Sequence, residues 1–194
     1  PILAGTVLQQ LYVTADAVII GKYTGKIGLA AIDSVYALIR LPVLFFAGIS
    51  AGASIIVSYS YRAKDFKKLG TAVHTAILFA LTGGIALSAA GIVGSPYILN
   101  LIAVPSEIYT YALSYVQIYF AGFVFMMLYN ICAGILRALG DSKTPLYVLI
   151  ISCFANIALD ILFIGYFKWS TAGAALATSI AQCISAVFAL AALI

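Results

Sequence analysis

Charged residues are scarce in this chain. Of its 194 residues, 8% are charged and 64% are hydrophobic, and the mean hydropathy is +1.15. A soluble domain carries about 25% charged residues, because its surface must face water, so the composition argues against a soluble globular protein. A membrane-spanning helix needs roughly 20 mostly apolar residues, and this length holds six. The sequence therefore predicts an all-α membrane protein with six transmembrane helices, whose surrounding partner is the lipid bilayer.

Groups for metal, disulfide and catalytic chemistry are equally scarce. The only histidine is His74, and Cys132, Cys153 and Cys183 all lie inside apolar runs with no Cys-x-x-Cys pair. This pattern predicts membrane-embedded free thiols and leaves little to bind a transition metal. No serine–histidine, cysteine–histidine, phosphate-loop or metalloprotease pattern is present, so we expect no enzyme activity and no cofactor. The net charge of +4 comes from residues in loops, without the basic stripe that nucleic-acid binding requires.

The apolar runs define the predicted spans and their orientation. They cover residues 1–21, 33–60, 71–95, 108–135, 146–167 and 172–194. The second and fourth loops carry six lysines and arginines and the other three loops carry three, which places the second and fourth loops and the N-terminus in the cytoplasm. We expect a multi-pass protein of the plasma (inner) membrane. The chain starts with Pro1 and ends with Ile194 inside an apolar run, so we expect both ends to be cut. We expect no cleavable signal peptide, because the first span is too long and lacks a basic leader.

Several local patterns predict structure inside these spans. Thr144 followed by Pro145 is typical of an N-cap and first helical position. The pair Gly48-x-x-x-Gly52 predicts close packing against a neighbouring helix. Arg40 allows two interpretations, since it can pair with an acid or extend its side chain to the outer surface.

Two aspartates stand where the lipid should exclude them. Asp16 lies within the first apolar run and Asp160 within the fifth. A carboxylate at bilayer depth costs at least about 2.5 kcal/mol, so it normally faces a cavity or a partner. The two are predicted to bind a proton or Na⁺. Two alternatives stay open: contact with a hydroxyl or lysine across the bundle, and an intramembrane aspartyl enzyme, which needs carboxyls close enough to share a proton.

An internal repeat relates the two aspartates. The stretch 16–21 matches 160–165, and the stretch 28–35 resembles 173–180. Spans one and five run in the same direction, so the match is geometrically sensible. Transporters commonly place their coupling sites where repeated elements meet.

Polar side chains accompany each aspartate on its helical face. Asn156 precedes Asp160 by four residues, which puts both on one face of the fifth helix. The oxygens of these side chains are ligands of the type that hard cations prefer. The other members of this predicted set are Gln9 and Tyr12 on the first helix and Thr178 and Gln182 on the sixth.

The fourth span carries a row of tyrosines. Tyr111, Tyr115 and Tyr119 follow one another at intervals of four residues, and Asn130 lies further along. The row predicts an aromatic wall for organic cations, which bind to the faces of aromatic rings. Helix packing and the interfacial aromatic belt explain the same row, and both interpretations stay open.

Five segments together resemble the MATE (multidrug and toxic compound extrusion) family of transporters. The segments are residues 9–12 with Asp16, 61–65 with Lys67 and Lys68, 134–145, Asn156-x-x-x-Asp160, and 172–178. The stretch 134–145 is similar to the most specific loop signature of that family. The resemblance covers the whole chain.

The resemblance implies Na⁺- or H⁺-coupled export of drug-like or organic cationic compounds by alternating access. Family members have twelve helices in two lobes, and this chain resembles the N-terminal lobe alone, so a second lobe is an expected partner. The implied cation site, in which Na⁺ would be the metal, consists of Asp16, Asn156, Asp160 and Thr178, with Tyr115 and Asn130 as neighbours. Because no second lobe is present, the chain is either a fragment or a natural half transporter. A non-transporting helical module and a lipid-flippase-like half transporter are the alternatives.

Overall fold

The protein is a bundle of long helices. The computed structural model describes residues 2–193, and for residues 2–6, 8, 9, 11 and 12 it describes the backbone alone. Within these residues the structure contains no strand. The helices are α1 (Ile2–Arg62), α2 (Phe66–Leu101), α3 (Ser106–Ala121), α4 (Phe123–Ala138), α5 (Lys143–Asp160), a π-helix (Ile161–Tyr166) and α6 (Ser170–Ala191).

The first helix folds back on itself at Gly25. The sequence predicts a loop around Lys22 and Lys26, whereas helix continues through both and only Gly25 leaves helical geometry, with φ 71° and ψ −160°. Glycine adopts this backbone region without steric cost. Val13 and Val43 line one cavity, although a straight helix would hold them about 45 Å apart at 1.5 Å per residue. The helix α1 therefore consists of two arms, residues 2–24 and 26–62, lying side by side.

The helix α1 contains an apolar stretch long enough to cross a membrane, Val13–Arg62, and the bend at Gly25 divides the helix into two arms that correspond to the first two predicted spans. The helices α2 and α6, and α5 with its π-helical end, are each long and apolar enough to cross a membrane. The helices α3 and α4 qualify together, bent by 47° at their junction. The predicted all-α membrane fold with six spans is confirmed. The helix α4 lies at its centre, buried along most of its length against α1, α2 and α6.

Carboxylates begin two of the helices. Asp65 accepts a hydrogen bond from the backbone N–H of Lys68 at 3.1 Å, and the Lys68 ammonium lies 3.3 Å from the same carboxylate. The Asp141 carboxylate accepts from the backbone N–H groups of Lys143 and Thr144, each at 3.0 Å. These hydrogen bonds lower the pKa of both aspartates. The predicted N-cap at Thr144 is wrong, because Thr144 lies inside α5 and Asp141 caps the free N–H groups.

Glycines allow close helix approach, but not where the sequence predicts it. A methyl group added at Gly48 or Gly52 would meet nothing within 4 Å among the described residues, so the predicted close-packing role of this pair is wrong. Four other glycines carry that role, since an added methyl would come within 3 Å of a neighbouring helix: Gly84 against Val124, Gly91 against Phe120, Gly122 against Ser179 and Gly134 against Ser50 and Ser54.

The second and fourth loops lie at the same end of the bundle. Arg62 and Arg137, which close α1 and α4, line one cavity of about 480 Å³. The basic residues of the second and fourth loops, from which the orientation was predicted, therefore lie at one end of the folded bundle. The three cysteines are free thiols, as predicted, and Cys132 and Cys153 are buried.

Candidate functional site

The fold brings the two intramembrane aspartates together. Asp16 lies on the first arm of α1 and Asp160 is the last residue of α5, yet their side chains hydrogen-bond to each other. Asp160 is fully buried. Two ionised carboxylates have no donor to share, so a hydrogen bond between them requires a proton. The arrangement is an acid pair, fully buried at Asp160 and half-buried at Asp16, that can hold a proton or exchange it for another cation.

Irregular backbone follows directly after the pair. The helix changes at Asp160 from α to π geometry, and the N–H of Phe167 donates to the carbonyl of Leu162, five residues earlier, at 2.9 Å. Short π segments are frequent at functional sites. One turn before the pair, Asn156 is fully buried on α5. A further turn back, Ser152 donates to the carbonyl of Ala181, which fixes α5 against α6 below the site.

A cavity of about 300 Å³ lies beside the acid pair. This volume is at the lower end of the range for small-molecule sites. The rings of Tyr115 and Tyr119 form part of its wall, with centroids 6.0 Å apart and planes tilted by 30°. Its polar and aromatic lining consists of Asp16, Asp33, Tyr36, Arg40, Tyr115, Tyr119, Thr178 and Gln182.

Several side chains predicted from the sequence meet at this cavity. Tyr115, Thr178 and Gln182 line it together with Asp16, and Asn156 lies one turn from Asp160 on the other side of the pair. The amide oxygen of Gln182 is buried and accepts no hydrogen bond from the described residues. A buried acceptor of this kind marks a position suited to a donor from a ligand or water.

Other predicted members lie elsewhere. The side-chain amide of Asn130 donates to the carbonyl of Met126 at 2.8 Å, and Asn130 does not line the cavity. Tyr111 is also outside the lining; its carbonyl accepts from the hydroxyl of Thr171, which ties α3 to α6. Gln9 and Tyr12 lie outside the described side chains.

Sequence reasoning singled out Arg40 but did not place it, or the face of the second arm that carries it, at the site. Asp33, Tyr36 and Arg40 are spaced three and four residues apart, so they share a helical face, and all three line the cavity. The repeat contained a signal for Asp33, because in the match of 28–35 with 173–180 it stands in register with Thr178. Arg40 donates to the Tyr36 hydroxyl at 2.7 Å and lies 5.5 Å from the centre of that ring.

The donor set suits a hard cation. Among the described residues there is no group of three or more histidine, cysteine, aspartate or glutamate side chains that could hold a metal ion. A cation beside Asp16 and Asp160 would therefore be held by two carboxyl groups and by neutral oxygens from amides, hydroxyls or carbonyls. Oxygen ligands of this type are those that hard cations prefer.

Comparison with known proteins decides the family. The MatE family model matches residues 1–162. The chain belongs to the MatE family. Two relatives from Bacillus subtilis (strain 168) are described as probable multidrug resistance proteins: YoeA, 35% identical over 174 residues, and YpnP, 35% identical over 193 residues. These matches cover 89% and 98% of this chain but only 38% and 43% of the relatives, so the chain spans about two fifths of their length.

Solved structures share the fold of this MatE chain. A MOP superfamily transporter from Pyrococcus furiosus matches with a TM-score of 0.93 at 23% identity, over 100% of this chain and 42% of its own. An outward-facing multidrug resistance MATE family transporter matches with a TM-score of 0.92, also at 23% identity, over 98% of this chain and 42% of its own. The resemblance inferred from the sequence is therefore confirmed: the chain has the fold of one lobe of a MATE transporter, and the N-terminal six-helix lobe fits.

Proposed function

We propose that this MatE chain is the N-terminal lobe of a cation-coupled antiporter that exports drug-like or organic cationic compounds. The proposed cation site comprises Asp16, Asn156, Asp160 and Thr178. The observation that carries the proposal is the hydrogen-bonded acid pair, which is fully buried at Asp160 and lies beside a cavity walled by tyrosines. The multidrug resistance proteins among the relatives support the same class of activity.

Coupling follows from the charge of the acid pair. A proton or Na⁺ bound at Asp16 and Asp160 removes the negative charge that a cationic compound needs in the adjacent cavity. Binding of the coupling cation and binding of an organic cation therefore oppose each other, and entry of one favours release of the other. Because both ions are compatible with two carboxyl groups and neutral oxygens, the coupling ion is H⁺ or Na⁺.

Transport by this mechanism requires a second lobe. Alternating access rocks one structural repeat against another around a central site, and the relatives are more than twice as long as this chain. We propose that the second lobe is the partner of this chain in the plasma membrane. The basic end that holds Arg62 and Arg137 would lie in the cytoplasm together with the N-terminus, in accordance with the positive-inside rule.

The acid pair also meets the geometric condition for an intramembrane aspartyl enzyme, since carboxyls that share a hydrogen bond can share a proton. We favour transport because the relatives are described as multidrug resistance and export proteins. Assays of membrane peptide cleavage by the full-length protein are expected to stay negative, and cleavage that disappears in Asp160→Asn would reverse this preference.

Export from cells or inverted vesicles that contain the full-length protein tests the proposal. We expect Asp16→Asn and Asp160→Asn each to lower export of a fluorescent organic cation at least tenfold, because neither amide can carry the proton or the negative charge of the pair. Imposed proton and sodium gradients, applied separately, identify the coupling ion. Labelling of the introduced thiol in Lys64→Cys from the cytoplasmic side only would establish the orientation of the chain in the membrane.

Glu107→Gln is the matched control, because Glu107 is an exposed carboxylate in the first turn of α3, away from the cavity. It should export at the wild-type rate. Export at the wild-type rate by both aspartate variants would overturn the proposed cation site. Absence of export in every variant, wild type included, would instead favour the non-transporting module.

A further inference from the structure

A larger cavity opens between the second arm of α1 and α2. Its volume is about 780 Å³, and none of the described residues that line it also lines the cavity beside Asp16. Ile131 of α4 and Ala76 of α2 are buried and form its floor. Ile56 and Phe79 stand on its two sides with exposed fractions of 60% and 44%, so the cavity is a groove that is open to the surroundings of the bundle.

The groove has the depth of one lipid leaflet. On the second arm of α1 its lining runs from Ser60 to Ile49, and on α2 it runs from Lys67 to Phe79. These stretches advance 11 and 12 residues along their helices, which is about 16–18 Å at 1.5 Å per residue. The hydrocarbon core of a bilayer is about 30 Å thick, so one leaflet contributes about half of that. An acyl chain of one leaflet therefore matches the groove in length.

The end of the groove nearest the second loop is positively charged. Lys67 and Lys68 line it there, and no carboxylate is among the described residues of the lining. Lys67 forms no ion pair with a described residue, whereas the Lys68 ammonium lies 3.3 Å from the Asp65 carboxylate. That pair is exposed to solvent, and an ammonium has three donors, so Lys68 retains donors for a second anion. Apart from the two lysines and three hydroxyl side chains, the described lining is apolar.

We propose that this groove binds an acyl chain of an anionic phospholipid, whose headgroup phosphate lies at Lys67 and Lys68. The apolar floor, the length of one leaflet and the positive end match the chain, its depth in the bilayer and the phosphate. Basic pockets between transmembrane helices on the cytoplasmic side, where the proposed orientation puts this end, bind acidic lipid headgroups. The inference goes beyond the proposed export function and does not depend on it.

Three other arrangements predict different binding. Lysines near helix ends also extend their ammonium groups into water, and in that case they would give no preference among lipids. A helix of the second lobe that covered the groove would exclude phospholipids from it. A soluble phosphate would bind the lysines without using the apolar part of the groove. Probes that vary the headgroup charge and the acyl chain separately distinguish these cases.

Native mass spectrometry of the purified full-length protein in detergent measures the affinity of the first bound lipid. Dioleoylphosphatidylglycerol is the anionic probe, and dioleoylphosphatidylcholine has the same chains without the net charge. Glycerol phosphate carries the phosphate without a chain. We expect wild type to bind phosphatidylglycerol at least about tenfold more tightly than phosphatidylcholine, because each lysine near an anionic lipid strengthens binding about fivefold. Glycerol phosphate should not compete with phosphatidylglycerol.

Removing the lysine charges should remove this preference. Lys67→Gln, which leaves the Lys68–Asp65 pair intact, should weaken phosphatidylglycerol binding about fivefold. The double variant Lys67→Gln, Lys68→Gln should bring it close to phosphatidylcholine, whose own binding should be nearly unchanged. Both lysines are exposed, so these substitutions leave the packed interior intact, and melting temperatures in lipid-free detergent check the fold.

The double variant Lys64→Gln, Lys143→Gln is the matched control, because it removes the same charge at the same end of the bundle from residues that do not line the groove. It should alter neither lipid. Thr75→Trp keeps both lysines and places a large side chain in the groove at an exposed position, so it should weaken both phospholipids.

Equal binding of the two lipids by wild type would overturn the inference, and so would equal losses in the lysine variants and their control. Unchanged binding in Thr75→Trp, or displacement of phosphatidylglycerol by glycerol phosphate, would overturn it as well, because the chain would then not occupy the groove. None of these measurements requires transport, so their failure leaves the proposed export function untouched.

Discussion

The contact between Gly122 and Ser179 should govern both stability and the shape of the site. Gly122 lies at the bend between α3 and α4 and touches α6 at the position of Ser179. A Cβ at residue 122 would lie 2.5 Å from the Cβ and 3.0 Å from the Cα of Ser179, whereas carbon atoms pack at about 3.5–4.0 Å. In Gly122→Ala, α6 must therefore retreat by about 1 Å.

The energetic consequence follows from overpacking. Extra methyl groups forced into a packed interior lower the free energy of unfolding by about 1–3 kcal/mol. The higher helix propensity of alanine offsets up to about 1 kcal/mol of this loss. We expect a net loss of about 1–2 kcal/mol. The same retreat moves Thr178 and Gln182, which are neighbours of Ser179 on α6 and line the cavity, so affinity for transported compounds should fall as well.

Thermal unfolding of the full-length protein in detergent, followed by a thiol-reactive dye or by size-exclusion profiles after heating, measures the effect. Gly122→Ala should melt a few degrees below wild type. Gly52→Ala, at a position where a methyl meets nothing within 4 Å, should melt at or slightly above it. The double variant Gly122→Ala, Ser179→Gly should recover part of the loss. If Gly122→Ala is as stable as Gly52→Ala and binds substrate normally, the close contact is not a determinant of this fold.

Two further substitutions test the ends and bends of the helices. Asp141→Ala should lower the melting temperature at pH 7 and should have no effect in acid. Folding lowers the pKa of Asp141 from its ordinary value of 3.8. Its contribution to stability is therefore complete above pH 3.8 and is lost as the pH falls through the pKa of the folded state. A melting-temperature difference that persists unchanged at pH 2–3 would contradict this. Gly25→Ala should destabilise the folded protein by about 1–3 kcal/mol, because φ 71° with ψ −160° is a backbone region that only glycine occupies freely. The control Gly70→Ala, in which the added methyl meets no neighbour within 4 Å, should not destabilise it. Equal melting temperatures for the two variants would contradict the bend.

The sequence was sufficient for the features that depend on composition and on single anomalous residues. Long apolar runs predict the spans because the bilayer sets their length, and Asp16 and Asp160 are conspicuous because a carboxylate in lipid is costly. The repeat placed them in equivalent positions, although it did not show that their carboxyl groups meet. These features depend on what a residue is, rather than on what it contacts.

Features that depend on tertiary contacts were not predictable in the same way. Nothing in the local sequence distinguishes Gly48 and Gly52, which face open space, from Gly84 and Gly91, which face a neighbouring helix. The sharp bend at Gly25 lies between two lysines that resemble an ordinary loop. Asn130 has the right chemistry for a ligand, but it does not line the cavity, and its side-chain N–H donates to the carbonyl of Met126 on its own helix.

The π-helix after Asp160 gives the internal repeat a different shape in each copy. In the first copy, residues 16–21 form α-helix, so Gly21, five positions beyond Asp16, points to a different side of the helix. In the second copy, the bonding pattern of residues 161–166 links positions five apart, which turns Gly165 toward the face of Asp160 and brings Tyr23 of the first arm against it. The two copies of the repeat thus share the aspartate and the glycine but differ in backbone winding, so equivalent side chains beyond the aspartate do not keep equivalent directions.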